Sequence, residues 1–187
     1  PFSPIVKLFS RFKWSDERIE CLMSAGEVDH LAILFNLLHG KYSVDYKTCE
    51  KVLSFAIYNP VDPDELMKTF GIVFTFHPLN VVKSLLEKWL GLLNSDSEDQ
   101  RLRVCKAIEG IVQSSPDPQA IVPFAPFLMF PVMARTSDQC EKVRQVASPL
   151  FAQLVRVIPI EVDLQEGLED FKDQLAECRA FIAALSD

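Results

Sequence analysis

Histidine and cysteine are the residue types in this chain best suited to metal binding or nucleophilic chemistry, and their spacing favours neither. The three histidines are His30, His39 and His77. No two of them are four residues apart, which is the spacing by which two histidines on one helix share a zinc ion. The five cysteines are odd in number and contain no Cys-x-x-Cys pair: Cys21, Cys49, Cys105, Cys140 and Cys178. We interpret them as small buried side chains in a reducing, intracellular compartment, and we expect no metal site.

Phosphate binding through a glycine-rich loop is excluded by the residues around Gly40-Lys41. A P-loop requires Gly, four residues and then Gly-Lys-Ser/Thr, because its backbone amides and its lysine surround the phosphates. Gly40-Lys41 is instead followed by Tyr42 and has no glycine at the required upstream position. The other glycines are too far apart for Gly-x-Gly-x-x-Gly. We therefore expect no catalytic residue, no cofactor and no enzyme activity in this segment.

Charge and hydropathy exclude two further classes of partner. The net charge is −7 and the densest basic cluster is only Lys7, Arg11 and Lys13, whereas nucleic-acid binding uses an extended basic face. The longest apolar stretch, residues 120–134, carries three prolines and is shorter than the roughly 20 residues of a membrane span. We expect no direct nucleic-acid binding and no membrane insertion, and the acidic surface suits a basic protein partner.

An acidic strip lies near the end of the chain, on a helix predicted from an apolar stripe over residues 168–185. Its members are Glu166, Glu169, Asp170, Asp173 and Glu177. Two interpretations stay open: a solvated helix face, or a docking strip for a basic partner or for a following domain.

The elements that position these residues are all predicted to be helical. Asp62-Pro63-Asp64-Glu65 is a strong helix start, with an N-cap, a proline at the first position and acids in the first turn. It precedes Phe70–Phe76, a strand-like run that we interpret as the buried end of that helix. The pattern predicts helices near residues 4–12, 15–24, 27–39, 43–58, 63–76, 78–94, 99–114, 118–136 and 139–158, before the last stripe at 168–185.

Residues 131–161 follow the pattern of a HEAT-type helical hairpin. A proline lies in the first helix, an aspartate lies in the turn, and a Val-Arg pair opens the apolar face of the second helix. These positions are Pro131, Asp138, Val143, Arg144, Ala147, Phe151 and Leu154. Leu102-Arg103 matches Val143-Arg144 at a separation of 41 residues, within the range of such repeats. We expect the aspartate to cap the second helix and the arginine to pair with an acid of the same or the next repeat.

A hairpin of this kind cannot bury its own apolar stripe and needs stacked neighbours. The sequence therefore predicts an all-α fold: a HEAT-like α-solenoid of about four to five stacked antiparallel hairpins, forming a single segment over residues 1–187. Because the chain opens at Pro1-Phe2 without Met, we expect it to be part of a longer protein.

A more specific resemblance covers about residues 120–185. Its elements occur in the order Arg135-Thr136-Ser137-Asp138, Val143-Arg144, Ala147, Phe151-Ala152 and Pro159-Ile160-Glu161. This order resembles the HEAT repeats that precede the motor in the TATA-binding-protein-associated, Swi/Snf-class remodelling ATPases. One departure is Ala134, which stands where that family favours glycine.

The resemblance implies a non-catalytic scaffold in a nuclear transcription regulator that removes TATA-binding protein from DNA. The segment would link the partner-binding repeats to an ATPase motor, so the implied partners are TATA-binding protein and the adjoining ATPase domain. In that family the main contacts to TATA-binding protein come from earlier repeats, so no binding residue is carried over. The alternative is a HEAT-repeat interaction adaptor in another nuclear or cytoplasmic complex.

Overall fold

The computed structural model describes residues 44–115 and 120–158, the helix His30–His39 with part of its side chains, and Glu17 and Cys21. These residues contain helices and turns and no strand, which confirms the all-α class for the described part of the chain. The predicted helices at 4–12 and 168–185 and the acidic strip lie outside it. Of the predicted helix at 15–24, only Glu17 and Cys21 are described, and both are helical. The chain divides into two units, residues 1–157 and 158–187, and the first unit is the one described below.

The helices of the first unit follow one another with short connections. In chain order they are α1 (His30–His39), α2 (Tyr46–Tyr58), α3 (Pro63–Phe76), α4, α5 (Glu98–Ser114), α6 (Ala125–Arg135) and α7 (Glu141–Val157). Helix α4 is a continuous helical run with an α-helical part Pro78–Ser84, a π-helical turn Leu85–Trp89 and a 3-10 part Leu90–Asn94.

Helix α3 begins and ends where the sequence predicts. The Asp62 carboxylate accepts hydrogen bonds from the backbone N–H groups of Asp64 and Glu65, both at 3.0 Å, and Pro63 occupies the first turn. The strand-like run is helical because Phe70 and Phe74 lie one turn apart and are both fully buried, whereas Phe76, at the end predicted to be buried, is exposed.

The predicted continuous helix over 118–136 is wrong, because residues 121–124 form a turn and α6 begins at Ala125. A helix starting at 118 would place Pro123 and Pro126 in its interior. Each proline lacks an N–H and clashes with the preceding turn, so two of them three residues apart disfavour a continuous helix through this stretch, although α6 and α7 each carry one further proline in their interior, Pro131 and Pro149. Pro126 accordingly lies in the first turn of α6.

The helices of the first unit pack in two sets. Helix α3 packs against α1 and α5, and α5 packs in turn against α7, so the odd-numbered helices form a row of neighbours. Each even-numbered helix packs against the odd-numbered helix that follows it: α2 against α3, α4 against α5 and α6 against α7. The even-numbered helices also contact one another in order, α2 with α4 and α4 with α6.

Helices α3 and α5 approach each other closely. A Cβ atom added to Gly110 would overlap the backbone carbonyl of Met67, and one added to Gly71 would overlap the side chain of Ser114. The two helix backbones therefore touch at this crossing, and glycine is needed at Gly110 because a carbonyl group cannot move aside. Beside it, Phe70 and Trp89 form an edge-to-face aromatic pair with ring centroids 5.3 Å apart, which joins α3 to α4.

Candidate functional site: the loop-edge groove

The loops that precede α5 and α7 border an open groove of about 800 Å³. Residues 94–98 and Arg101 line one side, and Ala134, Arg135 and residues 137–140 line the other. We call this feature the loop-edge groove. Its lining is mostly polar, and it brings the predicted turn aspartate, Asp138, next to a helix that begins about forty residues earlier.

Asp138 is the centre of the groove. Its side chain is only 1% exposed and accepts two parallel hydrogen bonds from Arg101, from Nε to Oδ2 and from Nη2 to Oδ1, both at 2.8 Å. Arg135 Nη1 lies 3.2 Å from Oδ2, and the backbone N–H of Cys140 donates to Oδ1 at 2.9 Å. Such a bidentate, charge-assisted pair is among the strongest polar contacts in proteins. It ties the start of α7 to α5.

The electrostatics of the groove follow from this pair. The Arg101 guanidinium holds the pKa of Asp138 below its ordinary value, with further help from the Cys140 N–H and from Arg135. Asp138 is therefore ionised at neutral pH, but its charge is offset by two arginines. A carboxylate held in this way positions backbone and does not act as a general base, because its lone pairs are occupied and its basicity is reduced.

Arg101 and Arg144 make equivalent contacts with the loops that precede their own helices. Arg144 Nη1 donates to the carbonyl oxygens of Asp138 and Gln139, six and five residues back, at 2.6 and 2.9 Å. Arg101 Nη1 donates to the carbonyl oxygens of Ser95 and Asp96, also six and five residues back, at 2.8 and 3.1 Å. Each arginine thus folds the preceding loop back onto the first turn of its helix.

This equivalence sets the spacing between the two helices at 43 residues, the distance from Arg101 to Arg144. Helices α5 and α7 are both 17 residues long and begin at Glu98 and Glu141, which are also 43 residues apart. The same shift superposes four buried positions of α5 on four of α7. The pairs are Val104 with Ala147, Ala107 with Leu150, Ile108 with Phe151, and Ile111 with Leu154.

The 41-residue alignment of Leu102-Arg103 with Val143-Arg144 is therefore wrong. Arg103 is buried, and its Nε donates to the carbonyl oxygen of Ile57 at 2.9 Å, in the last turn of α2. It satisfies a helix-end carbonyl that has no partner within its own helix. The signal that finds the correct spacing is Glu-x-x-Arg at the start of each helix, Glu98 to Arg101 and Glu141 to Arg144.

The other sequence-predicted residues, except Leu102, lie in the hairpin formed by α6 and α7. Pro131 is inside α6 and half-buried, and Leu102 is half-buried on α5. The remaining members are buried on α7: Val143, Ala147, Phe151 and Leu154. Their assignment as repeat-defining residues stays a prediction.

A second polar cluster joins α2 to α4. Glu50 Oε1 accepts hydrogen bonds from Ser84 Oγ at 2.5 Å and from Lys88 Nζ at 2.6 Å. The hydrogen bond from Lys88 contributes most, followed by that from Ser84, and together they hold the pKa of Glu50 below its ordinary value. Serine, carboxylate and lysine are also the parts of a nucleophilic site, but Ser84 is buried and no substrate could reach it. The cluster is a polar contact that holds α2 against α4.

The prediction that the cysteines are buried is confirmed for Cys49 and Cys105 and wrong for Cys21, which is exposed, and for Cys140, which is half-buried. Burial raises the pKa of Cys49 and of Cys105 to about 12, so neither supplies a thiolate at neutral pH. His77 Nε2 lies 2.9 Å from the carbonyl oxygen of Val44, a contact in which the ring donates. Among the described residues no group of histidine, cysteine or acidic side chains is arranged to hold a metal ion. None of the described helices combines the length and apolar character that crossing a bilayer demands.

Comparison with known proteins identifies relatives of about half of the chain. Over 96 residues, 50% of the chain, it is 30% identical to human TATA-binding protein-associated factor 172. Over 101 residues, 53% of the chain, it is 30% identical to TATA-binding protein-associated factor mot1 from two strains of Aspergillus fumigatus. The matched part spans only 5% of the length of each relative. No protein-family model and no solved structure matches the chain. The resemblance to TATA-binding-protein-associated proteins is thereby confirmed for about half of the chain.

Proposed function

We propose that this chain is a non-catalytic scaffold segment of a nuclear transcription regulator that removes TATA-binding protein from DNA. In this proposal residues 1–187 form one HEAT-like α-solenoid segment that links partner-binding repeats to an ATPase motor. The observation that carries it is the 30% identity of half of the chain to proteins named as TATA-binding protein-associated factors.

The packing of the described helices supports the solenoid part of the proposal. Among the described helices, the main contacts within the row join α1 to α3, α3 to α5 and α5 to α7, and the even-numbered helices follow the same order. The 43-residue spacing between Arg101 and Arg144 is within the range of about 40 to 47 residues expected of HEAT repeats. Nearest-neighbour packing with a fixed period is what distinguishes a solenoid from a helical globule.

The polar contacts between successive hairpins support a scaffold role. Arg101 joins α5 to the loop before α7, while Arg103 joins the same helix to the end of α2. Lys106 Nζ contacts Asp64 Oδ1 at 2.9 Å and so joins α5 to the start of α3. A segment whose repeats are joined by such contacts can transmit a displacement from one end to the other. A link between partner-binding repeats and an ATPase motor requires this property.

The decisive experiment removes residues 161–187 from the full-length protein that contains this segment. We expect ATP hydrolysis to persist while removal of TATA-binding protein from DNA is lost, since the motor would no longer be coupled to the repeats. A second variant replaces residues 161–187 with a flexible Gly/Ser linker of equal length, and we expect this variant to fail as well. Normal removal of TATA-binding protein by either variant would contradict the proposal.

A binding experiment separates this proposal from the general adaptor. We expect the 187-residue chain to bind TATA-binding protein weakly or not at all, because the contacts would lie in earlier repeats. If affinity capture with the full-length protein recovers nuclear-transport factors and no TATA-binding protein, the adaptor interpretation replaces the proposed one.

A further inference from the structure

Arg144 lies in the first turn of α7, in the same local setting as Arg101 in the first turn of α5. Nη1 of each arginine donates to two backbone carbonyl oxygens, six and five residues earlier in the chain. Helix α7 is the last of the described helices in the row. The two arginines are therefore equivalent within their own hairpins, and any difference between them arises from what lies beyond each hairpin.

The two arginines differ in the use of the opposite edge of the guanidinium group. In Arg101, Nε and Nη2 form two parallel hydrogen bonds with the carboxylate of Asp138. In Arg144, Nη1 makes both hydrogen bonds, and Nε and Nη2 meet no acceptor among the described residues. The side chain is half-buried, but both nitrogens are accessible to water, unlike Nε of Arg135, which is buried without a partner. We call this pair of donors the Arg144 edge.

One carboxylate lies near the Arg144 edge along the helix, and its position is compatible with a bound ligand. Glu141 is three residues before Arg144, and its Oε1 accepts a hydrogen bond from Gln145 Nε2 at 3.0 Å. Glu98 has the same position relative to Arg101. Because Arg101 binds a carboxylate beside Glu98, a glutamate at this position does not prevent such binding.

The Arg144 edge is held in an orientation that suits a carboxylate. The hydrogen bonds from Nη1 to the carbonyl oxygens of Asp138 and Gln139, at 2.6 and 2.9 Å, fix one side of the planar group. Little further side-chain freedom is lost when a ligand binds to the other side. Two parallel N–H donors match the two oxygens of a carboxylate, and such bidentate pairs are stronger than single hydrogen bonds.

We propose that the Arg144 edge binds the carboxylate of an aspartate in a turn of a partner protein. The partner's turn takes the position on Arg144 that the turn containing Asp138 takes on Arg101. One carboxylate oxygen accepts from Nε and the other from Nη2. This proposal goes beyond the scaffold function and does not depend on it.

The sequence favours a partner protein as the source of this carboxylate. Asp138 follows Arg101 by 37 residues, whereas the residue 37 positions after Arg144 is Phe181. The chain therefore does not repeat the aspartate at this spacing. A nucleic acid is disfavoured, because a polyanion would meet a single arginine while being repelled by a chain whose net charge is −7.

The test is NMR observation of the arginine Nε–H signals of the 187-residue chain during titration with a peptide. The peptide has the sequence of residues 134–142, which contains Asp138 and carries two basic and two acidic side chains. Its net charge is zero, so general attraction between opposite charges does not drive binding. We expect the Arg144 signal to move saturably. The Arg101 signal should stay in place, because its edge already holds Asp138.

Two further probes on the unaltered chain test which chemical group is bound. The first is the same peptide with asparagine in place of its aspartate. We expect it to bind at least about tenfold more weakly, because an amide cannot accept two charge-assisted hydrogen bonds from one guanidinium edge. The second is inorganic phosphate, which tests for a general anion site. We expect phosphate to move the Arg144 signal no more than that of Arg156, an exposed arginine of the same helix.

A conservative variant tests the edge itself. Arg144→Lys keeps the positive charge but removes the planar pair of donors, and we expect at least about tenfold weaker binding of the peptide, measured from the backbone N–H signals of α7. Arg156→Lys is the matched control, for which we expect less than a twofold effect. Circular dichroism melting accompanies both variants, since Arg144 also holds the loop before α7. If Arg144→Lys lowers the melting temperature, the comparison of the two peptides on the unaltered chain decides.

Four results would overturn the proposal. Three of them are the absence of saturable movement of the Arg144 signal, equal binding of the asparagine peptide, and equal movement of the Arg156 signal. The fourth comes from a full-length chain in which every member of the acidic strip is changed to the corresponding amide. If this change moves the Arg144 signal before any peptide is added, the chain's own acids occupy the edge and a partner's carboxylate does not.

Discussion

Asp138 holds the two sides of the loop-edge groove together through its pair with Arg101, and its replacement tests that contact. Asp138→Asn keeps the shape of the side chain but removes the charge that two arginines surround. Because the Asp138 side chain is almost completely buried and Arg101 nearly so, we expect a loss of about 3 kcal/mol in the free energy of unfolding. Urea denaturation at neutral pH measures it.

The matched control for this variant is Asp96→Asn, the same chemical change on an exposed acid of the same groove. We expect the control to change the free energy of unfolding by less than about 0.5 kcal/mol. Equal effects of the two substitutions would mean that Asp138 is not a structural anchor.

The lowered pKa of Asp138 predicts how this contribution depends on pH. Folding lowers the pKa, so the ionised carboxylate stabilises the protein fully above the unfolded carboxyl value of about 3.9. The stabilisation is lost as the pH falls through the lower pKa of the folded state. We therefore expect the stability difference between wild type and Asp138→Asn to be constant from pH 7 to about 5 and to shrink below about pH 4. A difference that stays constant down to pH 3 would assign the effect to something other than the charge.

At the scale of the elements, the crossing of α3 and α5 is the contact least able to accept a larger residue. A methyl group at Gly110 meets the Met67 carbonyl, so the helices must separate, and we expect Gly110→Ala to destabilise the protein by about 3 kcal/mol. Gly91 has nothing near its missing Cβ, and we expect Gly91→Ala to be neutral or stabilising by up to about 1 kcal/mol. Thermal and urea unfolding compare the two variants. If Gly91→Ala destabilises the protein as much as Gly110→Ala does, the effect at Gly110 cannot be attributed to the close crossing of α3 and α5.

The same elements show what sequence could and could not predict. Local signals suffice where the bounds of a helix depend only on its own residues. Asp62-Pro63 therefore predicts where α3 begins, and the spacing of its apolar residues predicts where it ends. They fail where two signals compete, as at α6, where Pro123 and Pro126 move the start to Ala125. The candidate site is only half predictable from sequence. The turn pattern predicts Asp138, but its partner Arg101 is 37 residues away. Such a pairing depends on how two helices stack, which no local spacing encodes.

At the scale of the whole molecule, the question is whether stability is shared by all helices or divided among neighbours. In a solenoid each repeat contacts only the next, so a local defect lowers protection mainly in adjacent repeats. In a globular helical bundle the same defect lowers protection throughout. Native-state hydrogen exchange of Asp138→Asn distinguishes these cases, because the lost contact lies between α5 and the start of α7.

We expect amides in α6 and α7 to exchange about 100-fold faster in this variant, as follows from a loss of about 3 kcal/mol at 1.4 kcal/mol for each factor of ten. We expect amides in α2 and α3 to change by less than about threefold, since the lost contact joins α5 to the loop before α7 and involves neither α2 nor α3. Gly110→Ala is the matched control and should give the reverse distribution, with faster exchange in α3 and α5. Uniform acceleration of all described helices by both variants would show a single cooperative unit and would remove the physical basis for the solenoid, whatever the resemblance in sequence.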